Sequence, residues 1–122
     1  MLDKILYADS GNGHTQEMLK ILLDIPAFQN SEINILHVIP PQVSADTLAE
    51  KWQEGGKILS EIVTNVKIEP SKVATILKQG DPKDTVCTTA QEINADLILM
   101  GSRGLKRLEA FLENSVSQYV FH

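Results

Sequence analysis

Cysteine, positive charge and long apolar runs are all scarce in this chain, and each scarcity excludes something. Cys87 is the single cysteine among 122 residues. That rules out an internal disulfide and a cysteine cluster for a metal, and it fits a reducing compartment. Cys87 itself is expected to be a small buried hydrophobe. Lysine and arginine number 11 against 16 acidic residues, for a net charge of -5. A non-specific nucleic-acid binder, which needs a basic face to displace counterions, is therefore disfavoured, and any anion site must be local. Nowhere do about 18 apolar residues run consecutively, and MLDKILYADS at the start has no basic segment leading into an apolar one. Neither membrane insertion nor export is expected, and the location read from this is cytoplasmic. No short-period repeat or low-complexity tract appears, so residues 1–122 read as one domain.

What is present is an alternation of two hydrophobic periods. Lys4 to Ala8 is a short apolar run that ends in Asp9, Ser10, Gly11, Asn12 and Gly13, the way a buried strand leaves a parallel sheet. Met18, Leu19, Leu22 and Leu23 then fall at helical spacing between His14 and Ile25, and Pro26 stops the pattern. Ile33 to Ile39 is a second strand, closed by Pro40 and Pro41. His37 inside it is read as a structural residue. Residues 46–66 carry Leu48, Trp52, Leu59, Ile62, Val63 and Val66 on one helical stripe, and Trp52 is read as core. Gly55 and Gly56 lie on the same stripe, where each costs about 1 kcal/mol of helix propensity, so a kink or a close helix–sheet contact is expected there.

Lys72 to Gln79 is a third strand, and Gly80, Asp81 and Pro82 lead into a helix over 82–94, with Asp81 as its N-cap and Val86, Ala90 and Ile93 inward. Leu97 to Met100 is a fourth strand. It breaks at Gly101 into small and basic residues, and a helix is expected to begin near Asn114 or Ser115. Strands alternating with helices imply an α/β fold: a single open, mainly parallel sheet with right-handed crossovers and helices on both faces. Ligands of such sheets bind beyond the carboxyl ends of the strands, where strand order reverses. Strand, glycine loop and helix N-terminus in succession suit an anion, because glycines let backbone N–H groups approach closely and a first helical turn offers unpaired donors.

The stretch Ala95 to Gln118 is more specific than that. Gly101, two residues, Gly104, nine residues, then Asn114 and Ser115 closely resembles the G-x2-G-x9-G-[ST] signature of the nucleotide-binding branch of the universal stress protein family. The first strand ending in Asp9 and Ser10, LHVI in the second strand, QGDP before the third helix, ADLILMGSRGL and SVSQYV extend the resemblance over nearly the whole chain.

Position by position, the resemblance implies that the Val38 backbone holds adenine, that Asp9 takes the base or ribose edge, and that Gly101 lies at the ribose. Gly104, Asn114, Ser115 and Val116 take the phosphates, and Ala8, Ser10, Pro40, Met100 and Arg103 complete the nucleotide-binding set. The implied ligand is ATP, AMP or ADP, with Mg²⁺ accompanying the triphosphate, since no all-protein cage of carboxylates is evident. A homodimer with unidentified protein partners is expected. Hydrolysis is expected to be slow at most, as no efficient catalytic base and no Walker-type lysine–serine pair follows a glycine loop. Two departures bear on this. Asn114 stands where the signature has its third glycine, which opens the alternative of a nucleotide-free dimerising adaptor, and the family's apolar fifth strand after the last helix is not evident. An adenylate-transferring enzyme is weakest, because DSGNGHT matches neither the HxGH nor the SGGxDS pattern.

Overall fold

The computed structural model describes residues 3–9, 20, 23–26, 30–66, 69–101, 108–112 and 118–121. Strand β1 (Lys4–Asp9) lies at the centre of a parallel block, flanked by β2 (Glu32–Ile39) and β4 (Leu97–Gly101), with β3 (Val73–Gln79) outside β2. Helix α1 (Ala45–Val66) joins β2 to β3, and α2 (Pro82–Ile93) joins β3 to β4. A short 3-10 turn, Pro70–Lys72, precedes β3, so Lys72 closes the turn and does not open the strand.

Both faces of the block are covered, as an α/β reading requires. Strand alternation sends Ile5, Tyr7, Ile33, Ile35, Leu97 and Leu99 to one face, where they meet Leu59, Ile62 and Val66 of α1. Leu6, Ala8 and Leu36 point to the other, against Val86 and Ala90 of α2. Both α2 ends are set locally: the Asp81 side chain accepts from the Asp84 N–H at 3.2 Å, and Asn94 takes a left-handed conformation as C-cap. Of the expected first helix, Lys20 and Leu23 are helical and Leu23 packs on the α1-side core; most of that segment lies outside the described residues.

Three expectations are corrected. The sequence predicts a loop and a last helix after β4 with no further strand, but the chain there contributes β5 (Leu108–Leu112) and β6 (Gln118–Phe121), antiparallel to their neighbours. The sheet thus runs β3-β2-β1-β4-β5-β6. Short apolar runs do not distinguish strand from helix by period, and Tyr119, Val120 and Phe121 have strong strand preference. The second correction is Trp52, which is 38% exposed. A 22-residue helix is about 33 Å long, whereas the seven residues of β3 span about 23 Å, so α1 is longer than the strand it packs on. Cys87 is the third: it is exposed, turned about 100° around α2 from the buried Val86.

The expected close contact on α1 is present at Gly55. A Cβ there would lie 2.5 Å from Leu77 Cδ1 and 3.2 Å from His37 Cδ2, while one at Gly56 would meet nothing within 4 Å. Only Gly55 marks the close approach of helix and sheet.

Candidate functional site

The amino ends of the central strands are drawn together. The Asp96 carboxylate, just before β4, accepts from the N–H groups of Asp3 at 2.8 Å and Lys4 at 2.9 Å. Asp96 N–H donates to Lys4 O, and Glu32 N–H to Asp3 O, each at 2.8 Å. The two backbone donors, Lys4 first and Asp3 second, hold the Asp96 carboxyl below its ordinary pKa.

At the carboxyl ends the ladders run to Asp9 opposite His37 and to Ala8 opposite Met100. α1 and α2 pack on opposite faces and strand order reverses beside β1, the position at which open α/β sheets of this kind form a ligand crevice. Its rim consists of Asp9, the last residue of β1; His37 beside it on β2; and Met100 and Gly101, the last residues of β4, with Met100 level with Ala8.

The backbone at the β2 end has a definite polarity. Glu32 N–H donates towards β1, whereas Ile39 O accepts from Gly80 N–H at 3.0 Å, on the β3 side. Since peptide groups alternate sides along a strand, even-numbered residues of β2 face β1 and odd-numbered ones face β3. Val38 therefore turns its peptide groups towards β1, level with where β1 ends, and its carbonyl points beyond Asp9. A carbonyl in that place suits the exocyclic amine of a purine, which needs an acceptor.

The β3 end braces this position, a role the sequence reading did not assign. Gln79 Nε2 donates to Pro40 O at 3.5 Å, beside the Gly80–Ile39 bond. Gly80 has φ of +157°, and a Cβ there would lie 2.6 Å from Thr85 Oγ1, so the turn requires glycine. The QGDP segment held that signal. The structure brings Ala8, Asp9, Val38, Pro40, Met100 and Gly101 to one edge of the sheet. Ser10, Arg103, Gly104, Asn114, Ser115 and Val116 lie outside the described residues. A helix reaching from Ser115 through Gln118 is excluded by β6.

Among the described residues no group of three or more His, Cys, Asp or Glu is placed to hold a metal, and no helix is long and apolar enough to cross a membrane.

The sequence model of the universal stress protein family matches residues 1–122. The chain belongs to the universal stress protein family. It is similar to universal stress protein YxiE of Bacillus subtilis (strain 168), with 26% identity over an alignment spanning 98% of this chain and 92% of that one. Its fold matches a universal stress protein crystallised in complex with cAMP, at TM-score 0.62 and 20% identity, covering 79% of this chain and 73% of the other. A family member from Arabidopsis thaliana with AMP bound matches at TM-score 0.55 and 20% identity, covering 84% and 77%. The fold expected from the resemblance, an α/β sheet with helices on both faces, is that of these structures.

Proposed function

We propose that this universal stress protein binds an adenine nucleotide at the carboxyl edge of its sheet and acts as a nucleotide-dependent regulator. In this reading it is a cytoplasmic homodimer with at most slow hydrolysis. The observation that carries the reading is the Val38 carbonyl, turned beyond the end of β1 at the strand-order reversal, with Asp9 and Gly101 on the same rim. Adenine sits on the Val38 backbone and ribose hydroxyls donate to the Asp9 carboxylate. Phosphates lie towards Gly104, Asn114, Ser115 and Val116, with Mg²⁺ accompanying a triphosphate. Relatives of the same fold with cAMP and AMP bound support an adenine nucleotide as the ligand class.

The test is thermal unfolding with millimolar ATP and Mg²⁺, AMP or cAMP, and GTP as control. A ligand at 100 times its dissociation constant stabilises the native state by about 2.7 kcal/mol, which raises the midpoint by several degrees. A rise with adenine nucleotides and none with GTP is expected. No rise with any adenine nucleotide overturns the reading.

A second reading, a nucleotide-free adaptor, is favoured by one observation. Gln118–Phe121 is a strand where the resemblance implies the helix that follows the phosphate loop. The variant Asn114→Gly separates the two. A nucleotide site already in place gains affinity only several-fold, since a strain of about 1 kcal/mol is worth less than the 1.4 kcal/mol of a tenfold change. A degraded site gains binding that the parent chain lacks.

A further inference from the structure

The segment that follows β2 is short of hydrogen-bond donors. Pro40 and Pro41 carry no N–H, so the peptide groups on either side of Pro40 offer carbonyls alone. A ladder that both donates and accepts cannot continue through them, and whatever holds them must donate. Both donors come from the end of β3. Ile39 O accepts from Gly80 N–H at 3.0 Å, and Pro40 O accepts from Gln79 Nε2 at 3.5 Å. Gln79 is the last residue of β3 and the register partner of Ile39, one residue from the carbonyl it meets.

The direction of the Pro40 carbonyl matters to the base position. Strand alternation turns Val38 towards β1 and Ile39 towards β3, and an unbroken strand would turn residue 40 towards β1 again. Its carbonyl would then stand beside that of Val38. Instead it is met from β3. One acceptor suits the amine of a 6-amino purine and opposes the oxygen of a 6-oxo purine. The neighbouring purine atom, N1, is an acceptor in the first and an N–H donor in the second. A second carbonyl beside that of Val38 would therefore disfavour the first and suit the second.

The brace stands on a fixed base. Thr85 N–H donates to Asp81 O at 2.8 Å and the Asp81 side chain accepts from Asp84 N–H at 3.2 Å, so the chain just past Gly80 is already the capped start of α2. Gln79 is exposed and belongs to neither core cluster, so packing does not account for its side chain.

We propose that Gln79 is a positioning residue for base recognition: its side-chain amide holds the Pro40 carbonyl away from the base, so that Val38 presents the acceptor there and a 6-amino purine is chosen over a 6-oxo one. This role rests on the adenine-nucleotide reading above.

Calorimetric titration of the full chain tests it, with whichever of ATP, AMP and cAMP binds most tightly and with its guanine counterpart, in the parent and in Gln79→Leu, Gln79→Glu and Gln79→Lys. Leucine removes the donor at similar size, glutamate sets an acceptor against the Pro40 carbonyl, and lysine keeps a donor with the necessary reach. The two nucleotides carry the same phosphates, so the altered charge of a variant cancels in the ratio of their dissociation constants. The parent is expected to prefer the adenine nucleotide. Gln79→Leu and Gln79→Glu should reduce that preference about three- to tenfold, the worth of one hydrogen bond, and Gln79→Lys should keep it within about twofold. Unliganded melting should stay close to the parent's in all three. A preference unchanged in Gln79→Leu and Gln79→Glu, or reduced as far in Gln79→Lys, overturns the role of Gln79 and leaves the adenine reading standing. So does a loss that falls equally on both nucleotides, the mark of a general effect on the site. A parent chain that binds no adenine nucleotide, or binds the guanine counterpart as tightly, overturns both.

Discussion

The two ends of the parallel block differ in what their backbone groups meet. At the amino ends, Asp96 accepts from Asp3 and Lys4 and donates to Lys4 O, while Glu32 donates to Asp3 O, so β1, β2 and β4 are joined by hydrogen bonds of 2.8–2.9 Å. At the carboxyl ends, β2 outruns β1 by two residues and the crossovers depart on opposite faces. In the proposed site, backbone groups of the kind that a ladder satisfies at one end are turned towards the ligand at the other. On the proposed reading, stability and ligand binding fall to different ends of the same strands, and substitutions at each end should affect one property and spare the other.

The largest expected effect is at the open end. Asp9→Ala removes a charged hydrogen-bond acceptor from the proposed ribose position, and such bonds are worth about 1.5–3 kcal/mol. Adenine-nucleotide affinity should fall roughly tenfold or more. The ligand-free midpoint should hardly change, because Asp9 is the last residue of its strand. Calorimetric titration and unliganded melting together check this, and a large drop in the unliganded midpoint would contradict the separation.

Asp96→Ala is the converse at the closed end. It should lower the unliganded midpoint at pH 7 and leave the nucleotide-induced shift intact. The pH dependence has a definite sign. The folded-state pKa of Asp96 is lowered, chiefly by the Lys4 N–H and then the Asp3 N–H, so the unfolded chain takes up the proton more readily in acid. The stabilisation is complete above the unfolded value of about 3.9 and is lost as pH falls through the folded one. The midpoint difference between parent and Asp96→Ala should stay level from pH 7 to about 5 and narrow below about 4. Melting curves across that range check it, and a difference that widens in acid would contradict the assignment.

The parallel strands, α1 and α2 are legible in the sequence because their signals are local, whereas the Asp96 contacts of the closed end are not, because they join residues 92 and 93 positions apart. Asp81 before Pro82 caps α2, short apolar runs mark β1 to β4, and the Gly55–Gly56 pair on the stripe of α1 signals a close approach that the structure narrows to Gly55. What sequence reasoning misplaced depends on what lies opposite. Trp52 has core character, yet α1 is longer than the strand beneath it, a fact set by the two elements together. The segment ending QYVF fits a strand or a helix by period, and pairing with Leu108–Leu112 decides for strand. The candidate site divides the same way. Asp9, Val38 and Gly101 were placed by strand ends and family resemblance, whereas the bracing of Pro40 by Gln79 depends on β2 and β3 ending side by side.

The smallest expected effect sharpens the comparison from within the closed end. Asn34 is the third residue of β2, level with Leu6 and Ala74, and only 5% exposed on the α2 side of the sheet. Its Nδ2 is buried and meets no hydrogen-bond acceptor among the described residues. An unsatisfied buried donor costs about 1–3 kcal/mol, and an apolar residue of similar shape escapes that cost. Asn34→Val also places a β-branched side chain in a central strand, where it packs well. A gain of about 1 kcal/mol is expected, or roughly 3–4 °C in the midpoint of a chain this size, with nucleotide affinity unchanged. Denaturant and thermal unfolding measure the gain. A loss of stability would mean that Asn34 contributes through its carbonyl what its amide forfeits, and that the closed end is more fully satisfied than its hydrogen bonds indicate.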